Sequence, residues 1–404
     1  MIGMPSPDNS KNFMMPSDNS KPRILIASGI FQPDIGGPAS YGRALADKLS
    51  DSHSVTLVTY SSVWNFDNDK KEKFKVIRVW NKTPRGLRHL IYFLKVFFRI
   101  RKVDVVLALN AVSAGLPAMM AARFFKKKFF VKIVGDYAWE IAVNSNRTPL
   151  LINDFQKSKK KGKIKRLAKI QTWIAKKADK VIVPSEYLKT IVTGWGVPAE
   201  KIVVIYNGTN FKKADITSEE ARVKIGIPGS VILSVGRLVP WKGFKMLIKI
   251  MPQLLELNQF FRLVIVGDGP ERRILETMAR NLRLDKKIYI VGGKSSQDLK
   301  NYLAAADIFV LNTGYEGFSH QIMEAMIAGV PVVTTAVGGN REIINQGENG
   351  FMVRYNDEFN LIEAIKTIWR DKELREHFIE EGKKTVEKFS FEKMLEQTKN
   401  LLIS

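Results

Sequence analysis

Cysteine is absent from the 404-residue chain. That excludes a disulfide framework, a thiolate nucleophile and thiolate metal ligands, and it suits a reducing compartment. Long apolar runs are missing too. No stretch of about 18 or more uncharged apolar residues occurs, so no membrane-spanning helix is expected. The first 22 residues, MIGMPSPDNSKNFMMPSDNSKP, lack the apolar run of a signal peptide and are broken by Pro, Asn and Asp. They read as a disordered leader. No repeat at a solenoid period is apparent. Acidic residues are scarce in one half only. Residues 1–212 carry 37 Lys+Arg against 15 Asp+Glu, a net of +22, whereas residues 213–404 carry 27 against 25, a net of +2, within a total of +24. What is present is enough apolar residue, 45% of the chain, for two ordinary domains, each with its own core.

Short β-branched runs alternate with helical patterns along the whole chain. The first half has RILIASG, SVTLVTY, FKVIRVW, VDVVLAL, FFVKIVGD, KVIVPS and IVVIYNG. The second has VILSVGR, RLVIVGDG, KIYIVGG, IFVLNT and PVVTT. Continuous apolar strands joined by helices mean parallel sheets covered on both faces, so the expected fold class is α/β, with two doubly wound domains. The boundary is expected between Asn207 and Ile225, giving domains over 23–212 and 213–388. Such sheets bind ligands beyond the carboxyl ends of their strands, and the glycines cluster there.

Four strand ends stand out. In FQPDIGGPASYGRALADKL, Gly36 and Gly37 let backbone amides approach a ligand, and a helix from about Ser40 points its positive end the same way. A Gly-Gly loop before a helix is as often purely structural. SVGRLVPWKGFKMLI places Arg237 and Lys242 on one strand-to-helix loop beside Gly236 and Gly243. Two cations with flexible backbone suit a diphosphate, the alternative being two solvated charges. Gly267 and Gly269 in IVGDGPER read as turn formers. The fourth end is YEGFSHQIMEAMIAGVPVV. A short helix from Ser319 should stop before PVVTT, and the amides of Gly317, Phe318, Ser319 and His320 make an anion site at its positive end. Glu316 precedes that helix, where a carboxylate also serves as a cap. Glu324 lies inside it among Ile322, Met323 and Ala325, and a carboxylate there needs a partner, water or sugar hydroxyls.

EGFSHQIMEAM, in which Glu316 and Glu324 form an E-x7-E pair, occurs together with GRLVPWKG, IVGDGP, GGPASYG, ADKVIVPSEYLK and VIYNGT. In that order the motifs resemble family 4 of the retaining glycosyltransferases, from about Pro22 to Ser404. The resemblance implies a GT-B fold with an interdomain cleft, and FSFEKMLEQTKNLL resembles the family's last helix (389–404), which crosses back onto the first domain. It also implies roles. Arg237 and Lys242 neutralise the leaving diphosphate of a nucleotide-sugar, helped by the Gly37 amide and the helix at Ser319. Glu316 holds hydroxyls of the transferred sugar, Glu324 the ribose hydroxyls, and backbone near Gly292 the base. No resident cofactor or divalent metal is implied, since the nucleotide-sugar is a co-substrate. In one place the chain departs from the pattern: many members have a His-Asp pair after the fifth strand, where VKIVGDYAWE has Gly135 before Asp136. Asp136 therefore reads equally as a contact to sugar or acceptor and as a cap of its turn, with Trp139 and Glu140 shaping an acceptor pocket.

The basic half needs its own account. In RGLRHLIYFLKVFFRIRK, Arg88, Lys95, Arg99 and Lys102 fall on one helical stripe, with Leu90, Ile91, Leu94, Phe97 and Phe98 on the other side. KSKKKGKIKRLAKIQTWIAKK adds a second basic block. Docking to an anionic membrane leaflet is one reading, and a crossover helix with a wet basic edge is the other. Nucleic acid ranks lower, because no nucleic-acid module accompanies the charge. The functional expectation is a cytoplasmic, membrane-peripheral glycosyltransferase acting on a UDP- or GDP-sugar and a glycan or lipid-linked acceptor, in cell-envelope glycan or glycolipid synthesis. A GT-B nucleotide-sugar epimerase is the alternative. A dinucleotide oxidoreductase would need G-x-G-x-x-G after the first strand, where GGPAS stands instead.

Overall fold

The computed structural model describes residues 21–34 and 36–404. The leader expected over 1–22 therefore lies almost wholly outside the described residues. Two all-parallel sheets form. The first holds β1 (Ile24–Ser28), β2 (Val55–Ser61), β3 (Lys75–Trp80), β4 (Val105–Ala108), β5 (Lys128–Lys132), β6 (Lys180–Val183) and β7 (Ile202–Val204), in the order β3-β2-β1-β4-β5-β6-β7. The second holds β8 (Ser230–Val235), β9 (Phe261–Val266), β10 (Ile288–Ile290), β11 (Ala306–Leu311), β12 (Val332–Thr335) and β13 (Phe351–Val353), in the order β10-β9-β8-β11-β12-β13. Every strand read from the sequence is present. The one missed, β13, is a three-residue edge strand, too short to carry a pattern.

Helices cover both faces of each sheet, and alternation along the strands sorts the cores accordingly. On β1, Leu25 and Ala27 join Tyr92 and Val96 of the helix Arg85–Ile100. Ile24 and Ile26 join Leu45 and Leu49 of the helix Gly37–Ser50, together with Met394, Leu395 and Leu402 of the C-terminal helix Phe391–Ile403. That last helix thus crosses back onto the first sheet, and the Tyr41 hydroxyl meets Thr398 Oγ1 at 2.9 Å. The chain between the sheets is irregular until Thr217 closes a capping box on the helix Ser218–Ile225, a reciprocal use of two end amides.

The two domains also share a core. Trp139 packs at 5.0 Å from Trp241 and 5.2 Å from Tyr315, centroid to centroid. The Tyr315 hydroxyl donates to the carbonyl of Val134 at 3.0 Å. Glu342 caps the helix Glu186–Gly194 by accepting from the amides of Glu186 and Tyr187 at 3.0 and 2.9 Å. Buried aromatic contact and these bonds hold the carboxyl ends of the two sheets face to face.

The helix Arg85–Ile100 is oriented differently from the reading of its sequence. Tyr92, Val96 and Ile100 face the sheet. Leu90, Leu94 and Phe98, expected beneath the helix, are exposed at 52%, 40% and 64%, and Leu87 joins them at 52%. Conversely, Lys95 donates to the Arg78 carbonyl at 2.7 Å and Arg88 to that of Asn81. The sheet beneath accepts only a narrow strip of side chains, so an apolar residue one position round the wheel is left outside.

Candidate active site

Both sheets reverse their strand order next to their first strand, and in the second sheet the reversal falls between β8 and β11. Loops leaving those neighbours meet over the carboxyl edge, which is where a doubly wound sheet opens a crevice. The loop after β8 carries Gly236, Arg237 and the short turn Pro240–Lys242. The loop after β11 carries Tyr315, Glu316 and Gly317. Seventy-four residues apart in sequence, Lys242 Nζ and Glu316 Oε1 form an ion pair, with side chains only 12% and 13% exposed. Charges so far from water need each other, or a ligand of the right charge, to remain ionised.

Arg237 is more open. Its guanidinium lies 5.6 Å from the centre of the Trp241 ring and 3.9 Å from Glu140 Oε2 of the first domain. Burial raises the Glu140 carboxyl above its usual range, with Arg237 and Lys242 pulling it back down. One cation is therefore held within the second domain and the other reaches across the cleft.

Glycines let these loops approach. A Cβ on Gly267, where φ is +149°, would collide with the Gly236 carbonyl, so IVGDGP is a spacer that braces the Arg237 loop. Gly338 has φ +53°, and a Cβ there would strike the carbonyl of Glu316, which accepts the amide of Gly339 at 3.0 Å. The pair after β12 clamps the Glu316 backbone. Its role was missed in the sequence, although a Gly-Gly at a strand end is the same signal that drew attention to Gly36 and Gly37.

Ser319 caps the helix His320–Ala328, its hydroxyl accepting from the Ile322 amide at 3.4 Å. Gly317, Phe318 and Ser319 are buried. The Phe318 ring packs on Tyr206 and Phe389, and its carbonyl accepts from Asn207 at 3.3 Å. Glu324 lies within the helix. Its carboxyl has no hydrogen-bond or ion-pair partner among the described residues, and burial pushes it up to about 7. A carboxyl in that state is ready to accept hydroxyl donors. Gly292, at φ +75°, spends its carbonyl on the Gly267 amide at 2.9 Å. In the first domain the helix begins at Gly37 instead of Ser40, because Pro38 sits in the first turn, where no amide is needed. Gly36 is its N-cap, and a side chain at Gly37 would meet nothing within 4 Å. No hydrogen bond or ion pair among the described residues links Gly36, Gly37, Gly292 or Glu324 to the Lys242–Glu316 pair.

Asp136 takes the capping role. It is 1% exposed. It accepts from the Trp139 amide at 3.0 Å and from the amides of Gln171 and Gln156 at 2.8 Å each. With both oxygens engaged, it positions the helix Tyr137–Asn144. Gly135 has a reason as well. A Cβ there would come within 2.8 Å of Glu140 Oε1 and 3.1 Å of the Tyr315 hydroxyl, so a side chain at this position would press on both.

Sequence reasoning did not single out Lys132. It ends β5 with 4% exposure and an ammonium that has no hydrogen-bond partner among the described residues, 3.9 Å from the centre of the Tyr41 ring. Burial pulls it down to about 7. His320, in the other domain, is lowered to about 4 by burial and by the charge of Lys132. No group of three or more His, Cys, Asp or Glu side chains that could hold a metal ion occurs among the described residues.

Comparison with known proteins matches both halves. The family described as Glycosyltransferase Family 4 matches residues 35–213, and the family described as Glycosyl transferases group 1 matches residues 217–385. An uncharacterized glycosyltransferase of Methanocaldococcus jannaschii is 35% identical over 55% of the chain and 59% of its own length. The lipopolysaccharide core biosynthesis glycosyltransferase LpsE of Rhizobium meliloti is 32% identical over 52% of the chain and 59% of its own length. The chain thus spans about three fifths of each of these two relatives. The crystal structure of HepE from Anabaena in complex with UDP-glucose superposes with a TM-score of 0.77 at 20% identity, covering 94% of this chain and 99% of that one.

Proposed function

The chain belongs to the GT-B glycosyltransferases, and from that premise we propose that it transfers a sugar, with retention at the anomeric carbon, from a UDP- or GDP-sugar to a glycan or lipid-linked acceptor of the cell envelope. The observation that carries the reading is the Lys242–Glu316 ion pair at the strand-order reversal of the second sheet, with Arg237 on the same loop reaching Glu140 of the first domain. Breaking the bond from anomeric carbon to phosphate oxygen leaves negative charge on the departing diphosphate, and cations already in place lower that barrier most. In this reading Arg237 and Lys242 face the diphosphate, Glu316 takes hydroxyls of the transferred sugar and Glu324 takes the ribose. The acceptor's proton passes to the leaving phosphate, so no side-chain base is needed, and the two cations stand where a divalent metal otherwise would. The link of LpsE with lipopolysaccharide core biosynthesis supports an envelope acceptor.

A screen of donor hydrolysis over common UDP- and GDP-sugars tests this. Slow, donor-selective release of nucleoside diphosphate is expected. Turnover of none would sink the assignment, and release of an isomerised nucleotide-sugar would replace it with an epimerase.

We further place the first domain against an anionic leaflet. No helix of the described residues is long and apolar enough to cross a membrane. Leu87, Leu90, Leu94 and Phe98 instead make an exposed apolar stripe, with Phe124 (70% exposed) beside Phe97 and Arg85, Arg99, Arg101 and Lys102 exposed around it. An apolar ridge in a cationic rim suits shallow insertion below anionic headgroups. The protein should co-sediment with anionic vesicles and far less with neutral ones. Salt should weaken this binding without abolishing it, because charge is screened over about 8–10 Å while apolar insertion is not. Leu90→Ser with Phe98→Ser should remove the salt-resistant part. Indifference to anionic vesicles at low salt would make the acceptor a soluble one.

A further inference from the structure

The second basic block does not lie flat on the surface. The helices Ile152–Lys157 and Gly162–Lys177, with the segment Thr190–Trp195, wall a cavity of about 1070 Å³. Lys157, Lys159, Lys161, Lys165, Lys169 and Lys176 line it. The last four follow at steps of four, four and seven, one helical stripe of exposed side chains along the groove. None of the six ammonium groups has a hydrogen-bond or ion-pair partner among the described residues. Lys160 alone in this run is spent locally, on the carbonyls of Phe155, Gln156 and Ser158. The single acid on the wall among the described residues is Asp136, whose oxygens are taken by Trp139, Gln156 and Gln171. With Lys160, seven like charges around one concave space repel each other, and an anion among them relieves the repulsion.

We propose that this cavity binds a phosphate or diphosphate group carried by the acceptor. Ammonium groups are compact point charges that suit a tetrahedral, multiply charged anion, whereas planar carboxylates favour the guanidinium fork, and no arginine lines the wall. The volume exceeds that of a phosphate, and the half-exposed Trp173 offers a face for an attached sugar ring. Two chains of contacts connect the groove to the cleft. Asp136 caps the helix bearing Glu140, which faces Arg237. Asn153 on the lining accepts from the Tyr187 hydroxyl at 2.8 Å, and Tyr187 packs on Tyr315 beside Glu316. The assignment to an acceptor rests on the transferase reading; the anion site itself does not.

Calorimetry with inorganic pyrophosphate on the full chain carrying Arg237→Ala and Lys242→Ala, which removes the donor-side cations, tests the site. Saturable binding is expected. Adding Lys161→Gln, Lys165→Gln and Lys169→Gln should weaken it about tenfold, the combined effect of three exposed charge contacts. All three side chains are exposed, and thermal unfolding checks the fold. Should the triple variant unfold, Lys165→Gln alone should still give a loss of about threefold. Absent pyrophosphate binding, or binding indifferent to these lysines, overturns the proposal. So does a result in which the lysine variants lose anionic vesicles but keep pyrophosphate, since the charge then serves a lipid surface. Pyrophosphate binding that depends on the lysines, in a protein that turns over no donor, supports the anion site while removing its assignment to an acceptor.

Discussion

Replacing Lys242 by alanine will slow sugar transfer by about 100-fold or more, and replacing Arg237 by alanine will do nearly the same, because each removes a fixed cation facing charge that grows only as the donor bond breaks. The two should differ in their side effects. Lys242 is nearly buried and paired with Glu316, so its loss strands a carboxylate away from water and should lower thermal stability as well. Arg237 has more than half its side chain exposed, so Arg237→Ala should unfold close to the wild-type temperature while losing turnover. That combination separates a catalytic cation from a structural one. Rates near wild type in both variants would end the diphosphate assignment. Transfer should also persist in a chelator; complete loss with EDTA, restored by Mg²⁺ or Mn²⁺, would show that a metal does the work assigned here to the two side chains.

Glu324→Gln should weaken donor binding about tenfold while raising stability at alkaline pH. The wild-type carboxyl, held at about 7 by burial, keeps its proton in the folded protein well above the pH at which it loses it in the unfolded chain. The folded state then binds the extra proton between the ordinary carboxyl value of 4.5 and about 7. The stability that this proton brings is full below the lower value and lost as pH rises through the upper one. The amide has no charge to bury, so Glu324→Gln should melt above wild type at pH 8 and with it near pH 4. Donor binding should run the other way. Only the ionised carboxylate accepts from both ribose hydroxyls, so wild-type affinity should tighten between pH 6 and 8, and the variant's should stay flat. A residue that costs stability where it helps binding marks a site. Glu316→Gln should instead depress turnover, by loosening both the sugar and Lys242. Small, equal effects of both changes, with no pH dependence, would reduce the two acids to a cap and a core residue.

By itself the sequence determined what local chemistry and period can carry. Uninterrupted β-branched runs between helical patterns are enough to specify buried parallel strands, and twelve of the thirteen strands and both sheets follow from them. Glycine pairs, helix caps and strand ends mark where the crevices open, so Arg237, Lys242, Glu316 and Glu324 were legible as candidates. The tertiary structure decided which of these meet. Lys242 reaches Glu316 because β8 and β11 are neighbours, a fact of strand order that no local spacing encodes. It decided that Asp136 is a cap, since Gln156 and Gln171 arrive from separate helices, and that Leu90, Leu94 and Phe98 point outward, since a helical period gives a face but not its direction. It also decided that the second lysine run lines an open groove. A row of like charges reads the same in sequence whether its helix meets open water or a concave wall, because the other half of the wall is supplied by residues 14 to 38 positions away, from Lys176 and Lys157 to Thr190 and Trp195.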